Sequence, residues 1–252
     1  MRPYSAVCEK GPVREINEDS YEVNILHGCL CMIVADGLGG EVSGEIASKI
    51  AVQTMMAEFE KNMDALTDDE HIEAFLSAGF NKANKEIIRY GAAHPESKGM
   101  CTTLTVAVQN DKKLSIAHIG DTRAYLCHHR EIQKLTNDHN KAAELVRAGL
   151  ISQDEAKVHP GRNVLVKVLG ENVYLKPDFY SYNLSYGDII MLCSDGLYSF
   201  VDREDFIAAL DYRKDVKLVC ECLAEKALKG GSSDNITIVA GVCKPNDYIG
   251  VK

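Results

Sequence analysis

The clearest pattern along the chain is "LCMIVAD", Leu30–Asp36, an unbroken apolar run. A run this short predicts a strand buried on both faces. After Gly39-Gly40, apolar residues recur at helical spacing through Ile46, Ala47, Ile50, Ala51, Met55 and Phe59. A second helical face follows in Ile72, Phe75, Leu76, Ala83, Ile87 and Tyr90. "TTLTVAVQ" and "KLSIAHIG" flank the turn pair Asn110-Asp111 and predict a hairpin, with "RAYLCH" continuing as a third strand. Asp138 to Gly149 predicts a helix with Gly149 near its C-terminal cap. Leu150 to Gly170 is polar and irregular, long enough to be a functional flap. "DIIMLCS" predicts a strand, Val201 to Lys229 two helices, and "NITIVAGVC" a last strand.

The hairpins make the predicted sheets largely antiparallel. The fold class is therefore α+β, with two packed, mostly antiparallel sheets and helices outside them, in one domain over residues 1–252. Charge and cysteine content narrow the function. A net charge of −9 argues against nucleic acid or an anionic membrane as the main partner. The nine Cys are odd in number and include no CxxC pair, which predicts reduced, structural thiols. The N-terminal stretch has no apolar signal core and no run approaches membrane-spanning length, so a cytoplasmic protein is expected.

Acidic phrases carry the candidate chemistry: "NEDS" (Glu18, Asp19), "ADGLGG" (Asp36), "GDTR" (Asp121), "SDGL" (Asp195) and "SSDN" (Asp234). Asp36, Asp121 and Asp195 follow predicted strands and Asp234 precedes one. A single Asp-Gly is most often a turn. Carboxylates gathered at a partly buried site repel one another, and divalent cations remove that penalty. An all-oxygen set without His suits Mg²⁺ or Mn²⁺. Two such ions can activate water for in-line attack on phosphorus and neutralise the phosphoryl oxygens. Gly37 is expected to permit a tight turn and leave its carbonyl facing the same ion. Arg14, five residues before Asp19, is a natural bidentate phosphate ligand.

These phrases, with "CTTLTVAV", "IAHIGDTRAYL", "LTNDH", "HPGRNVLVKVLG" and "SSDNITIVA", resemble in order the metal-dependent Ser/Thr protein phosphatases of type 2C, in their compact bacterial form. The resemblance runs from about Val13 to Ala240. It implies an αββα sandwich with metals in a cleft at one end of the sheets and a flap at about residues 141–169. Carried over by position, Asp36, Asp195 and Asp234 hold one metal, while Glu18, Asp36 and the Gly37 carbonyl serve the second. Asp19 orients the attacking water, Arg14 binds phosphate, and Asp121 matches a ligand of a third, weaker ion. The implied partners are phosphoproteins, substrates of a bacterial Ser/Thr kinase, acted on by a monomer. Animal members place a His after the first Asp-Gly as a general acid; Leu38 stands there here, leaving water or a flap group such as His159 for that role.

Two rival readings differ in chemistry. "CEKGPVR", Cys8–Arg14, fits C-x-x-G-x-x-R, the phosphate loop of cysteine-dependent phosphatases. That mechanism needs an electropositive cradle to form a thiolate, yet Glu15, Glu18 and Asp19 follow at once. The other rival keeps the fold as a dedicated phosphatase, or a non-catalytic regulator, of one signalling protein.

Overall fold

The computed structural model describes residues 3–26, 28–38, 43–62, 69–171, 174–213 and 215–245. Gly39 and Gly40 of "ADGLGG" lie outside them. One five-stranded sheet has the order β1 (Tyr4–Glu9), β11 (Ile236–Val242), β10 (Ile189–Cys193), β7 (Arg123–His128), β8 (Glu131–Lys134). The other runs β2 (Asp19–Leu26), β3 (Cys29–Leu38), β5 (Leu104–Asn110), β6 (Lys113–Ile119), β9 (Asp178–Asn183), with β4 (Cys101–Thr102) beside the end of β3. Every strand pair is antiparallel.

Period-two alternation explains the unbroken apolar runs. In β3, Leu30, Met32 and Val34 pack between the sheets, against Ile190 and Leu192 of β10 and Val239 of β11. Cys31, Ile33 and Ala35 point the other way. They meet α1 (Gly44–Asn62) and α2 (Asp69–Ala93) through Met55, Phe59, Leu76 and Phe80. In β10, Met191 and Cys193 pack instead on α5 (Asp195–Tyr198), α6 (Arg203–Ala209) and α7 (Val216–Lys229). Both faces of each central strand are thus removed from water.

Some expectations need correction. "RAYLCH" is a strand, but β7 does not extend the β5–β6 hairpin. The chain crosses from one sheet to the other at Gly120–Thr122, and β7 pairs with β10. The helix predicted from Asp138 begins only at Lys141, as α3 (Lys141–Arg147). Asn140 caps it by accepting from Ala143 N, while the Asp138 side chain is taken by Arg123. The stretch after Gly149 is less irregular than its polarity suggests. Ser152 and Glu155 form a capping box that starts α4 (Gln153–Val158), and a 3₁₀ turn follows at Pro160–Asn163. The edge strands β1 and β2 were not anticipated, because their half-buried faces carry mixed residues.

Candidate active site

The two Asp-Gly-Leu phrases end differently. Asp36-Gly37-Leu38 stays extended within β3 and makes no tight turn; Asp195-Gly196-Leu197 opens α5. Each glycine is required by close backbone approach. A Cβ on Gly37 would strike the Gly44 and Glu18 carbonyls, and one on Gly196 the Asn235 carbonyl. The expected turn at Gly37 is therefore replaced by tight packing of β3 against the start of α1.

Strand register gathers the acidic residues. Asp19 at the start of β2 lies opposite Asp36 in β3. The Asp36 backbone is pinned on its other side: its N–H donates to Thr103 Oγ1 (2.8 Å), and its carbonyl accepts from Thr103 N (2.9 Å) and Thr102 Oγ1 (2.9 Å). Asp121 follows β6 on the crossover, and Asp195 follows β10. Ser194, between β10 and Asp195, donates from Oγ to Asp19 Oδ2 at 2.7 Å and accepts from Thr237 N at 2.9 Å. Asn235 fastens the remaining loop: its Oδ1 accepts from Glu18 N, and its Nδ2 donates to the Lys10 and Ile16 carbonyls. Arg14 Nη2 reaches Asp234 Oδ2 at 2.8 Å, with Glu18 3.9 Å away. Glu18 also receives the Gly44 N–H at the start of α1.

Ser194, Thr102 and Thr103 were not singled out from the sequence. The hydroxyl residues flanking "SDGL" and "CTTL" were the available signal, but nothing local says which backbone or carboxylate each will meet.

The electrostatics are those of crowded anions. Asp36 keeps some surface open, yet burial of its carboxyl and the charges of Asp19, Asp195, Asp121 and Asp234 push it well above the usual range. Burial, reinforced by neighbouring carboxylates, lifts Asp121 to about 8, Asp19 to about 7 and Asp195 to about 6. Hydrogen bonds from Ser194 and Thr237 hold Asp19 lower than burial alone would. Burial also raises Glu18, against the pull of Arg14. Among the described residues, no three His, Cys, Asp or Glu side chains stand in ready-made metal geometry. The donor set is hard oxygen only, mutually repelling, and fits a divalent ion such as Mn²⁺ or Mg²⁺.

The cysteine alternative fails on geometry. Cys8 lies in β1 opposite Thr237, not at the N-terminus of a helix. Burial and the charges of Asp19 and Glu9 raise its thiol, against hydrogen bonds from Thr237 and Asn17. Arg14 turns to Asp234 rather than to Cys8. A groove of about 560 Å³ runs along the edges of β1 and β2 between Tyr4, Tyr21, Asp215 and Lys217, and none of the site carboxylates lines it.

The raised carboxyls predict a pH effect in the metal-free chain. An unfolded Asp titrates near 4 and an unfolded His near 6.5. Asp121 titrates at about 8, Asp19 at about 7 and Asp36 well above its ordinary value. Between about pH 6.5 and 8.5 the native chain therefore binds more protons than the unfolded one, and stability falls as pH rises, by up to about 1.4 kcal/mol per unit per group. Buried His118, lowered by burial to about 3, opposes this only below the unfolded His value. Calorimetry in EDTA should give a lower Tm at the upper pH, and saturating Mn²⁺ should flatten the slope. A Tm that rises across this window would contradict the electrostatic account.

Two stacked antiparallel sheets with helices outside and crowded carboxylates at one end define a hydrolase of the metal-dependent phosphatase class. Residues 13–230 match the family model described as protein phosphatase 2C. The chain belongs to the protein phosphatase 2C family and is a metal-dependent serine/threonine protein phosphatase. It is 33% identical over 232 residues to the serine/threonine phosphatase stp of Listeria monocytogenes, covering 92% of each chain. The crystal structure of the serine/threonine phosphatase Stp1 from Staphylococcus aureus superposes with a TM-score of 0.90 at 30% identity, over 97% of this chain and 96% of that one. The catalytic domain of PstP in complex with two manganese ions superposes with a TM-score of 0.80 at 32% identity, over 96% of this chain and 98% of that one. Among the described residues no helix is long and apolar enough to cross a membrane.

Proposed function

We propose that the chain, as one domain, hydrolyses phosphoserine and phosphothreonine on proteins at a binuclear Mn²⁺ or Mg²⁺ centre built from the strand-end carboxylates. The observation that carries this is the strand register that sets Asp19 opposite Asp36, with Ser194 beside Asp195 bonded to Asp19 and Arg14 bonded to Asp234. Asp36, Asp195 and Asp234 would hold one ion. Glu18, Asp36 and the Gly37 carbonyl would hold the other, with Asp121 toward a third, weaker one. When bound, such ions acidify water and neutralise phosphoryl charge.

The chain's own residues do the rest. Asp19, fixed by Ser194, orients the attacking water in line with the scissile bond. Arg14 exchanges Asp234 for two non-bridging phosphate oxygens. Its side chain is 47% exposed, so giving up that ion pair costs little. Leu38 has no proton to give. His159 accepts from Gly161 N at Nδ1, which leaves its Nε2–H to donate, so the leaving alkoxide takes its proton from water or from this flap group. Residues 141–169 form a flap beside this cleft. The nine cysteines are free thiols, in keeping with a reducing cytoplasm. The partners are phosphoproteins made by a Ser/Thr kinase, and the working form is a monomer. A non-catalytic regulator has no use for carboxylates that raise one another's proton affinity in this way.

Arg14 supplies the test of phosphate recognition. It grips phosphate in both ground and transition states, and uniform binding appears in KM. Arg14→Ala should raise KM for a phosphothreonine peptide roughly 10-fold, the equivalent of one charge-assisted contact of about 1.4 kcal/mol, with a smaller change in kcat. Lysine should restore only part, because a point charge does not reproduce the fork. Steady-state kinetics at saturating Mn²⁺ decide it; an unchanged KM would remove Arg14 from the site.

A further inference from the structure

His139 precedes the flap and touches the turn that carries Asp121. Its backbone N–H donates to the Gly120 carbonyl at 2.7 Å, and the Gly120 N–H donates back to His139 Nδ1 at 3.1 Å. Gly120 has φ +108°, and a Cβ there would run into the Thr103 side chain, so the turn has no slack. Because Nδ1 accepts, the ring proton sits on Nε2, where it donates to Asp178 Oδ2 at 3.1 Å. Asp178 Oδ1 accepts from Lys167 Nζ at 2.7 Å. Lys167 lies on the returning arm of the flap, where Val166 N donates to the His139 carbonyl at 2.9 Å. His139 is 4% exposed, and its ring lies 4.8 Å from that of buried His118. One buried ring therefore joins the Asp121 turn, the edge strand β9 and the flap.

We propose that His139 is a positioning residue: its Nδ1 fixes the Gly120–Asp121 turn, and Asp178 with Lys167 fixes the tautomer that lets it do so. With the proton on Nδ1, two donors would face each other and the turn would shift. This rests on reading Asp121 as the ligand of the weaker ion. Partners behind a metal ligand typically change metal affinity 10–100-fold when lost.

Asparagine and glutamine separate the two ring nitrogens. The Asn carbonyl can take the place of Nδ1 and keep the Gly120 bond. The Gln amide can take the place of Nε2, keeping Asp178 but leaving the Gly120 N–H unpaired. MnCl₂ titration calorimetry on the full chain should show the weakest class of sites loosened at least about 10-fold in His139→Gln and held within about 3-fold of wild type in His139→Asn. Turnover at limiting Mn²⁺ should follow the same order. Asp178→Ala and Lys167→Met alter more exposed groups. ¹⁵N-histidine NMR should show His139 protonated at Nε2 in wild type, with the Nδ1–H form appearing in Asp178→Ala. Wild-type Mn²⁺ affinity in His139→Gln, equal damage in His139→Asn, or an unchanged tautomer in Asp178→Ala would overturn the positioning role. Asp121→Asn sets the scale. A loss there with none in His139→Gln overturns this inference alone, and no loss there overturns the reading of Asp121 beneath it.

Discussion

Asp36→Asn should lower turnover at limiting Mn²⁺ by more than about 100-fold while the chain stays folded. Losing a residue behind a ligand costs 10–100-fold in affinity or activity, and Asp36 would itself be shared by both ions. The backbone at this position is held independently by Thr102 and Thr103, so the strand end does not depend on the carboxylate. Metal-free stability should rise, because Asn, unlike Asp36, neither adds a charge to Asp19, Asp195, Asp121 and Asp234 nor has to take up a proton on folding to avoid doing so. Thermal unfolding in EDTA and kcat on a phosphothreonine peptide are the paired measurements. Near-wild-type turnover in a folded variant would remove Asp36 from the centre.

Removing the metal should have an effect of similar size. EDTA should take phosphate release to background, and Mn²⁺ or Mg²⁺ should restore it. Each ion at about 100 times its Kd adds about 2.7 kcal/mol of stability, several degrees in Tm for a chain of this length. Cys8→Ser should retain the metal-dependent activity, since its thiol is half-buried in β1 and raised. Full activity in EDTA that disappears in Cys8→Ser would reverse the mechanism.

Much of this was legible in the sequence, because burial on two faces leaves a mark that composition alone does not. Leu30–Asp36 and "DIIMLCS" read as strands since both their faces are core. β1 and β2 did not, since edge strands need no such pattern. The crossing at Gly120–Thr122 was hidden for another reason: hairpin signals are local, whereas which sheet a strand joins depends on partners far along the chain. For the site, the acidic types and their place near strand ends were readable. The Ser194–Asp19 bond and the Asn235 clamp were not, because they join residues 175 and 217 positions apart. The two Asp-Gly-Leu phrases show the limit from the other side. Identical tripeptides become strand in one place and helix start in the other, and only the close approach demanded of each glycine is shared.

The most direct test of the central claim is the number of Mn²⁺ ions bound per chain over the concentration range that activates the enzyme. Equilibrium dialysis against MnCl₂, with metal and protein measured on each sample, gives it. The account predicts at least two ions in the wild type, with binding lost in Asp36→Asn in step with turnover. One ion or none in a fully active enzyme, or two ions held undisturbed by Asp36→Asn, would contradict it.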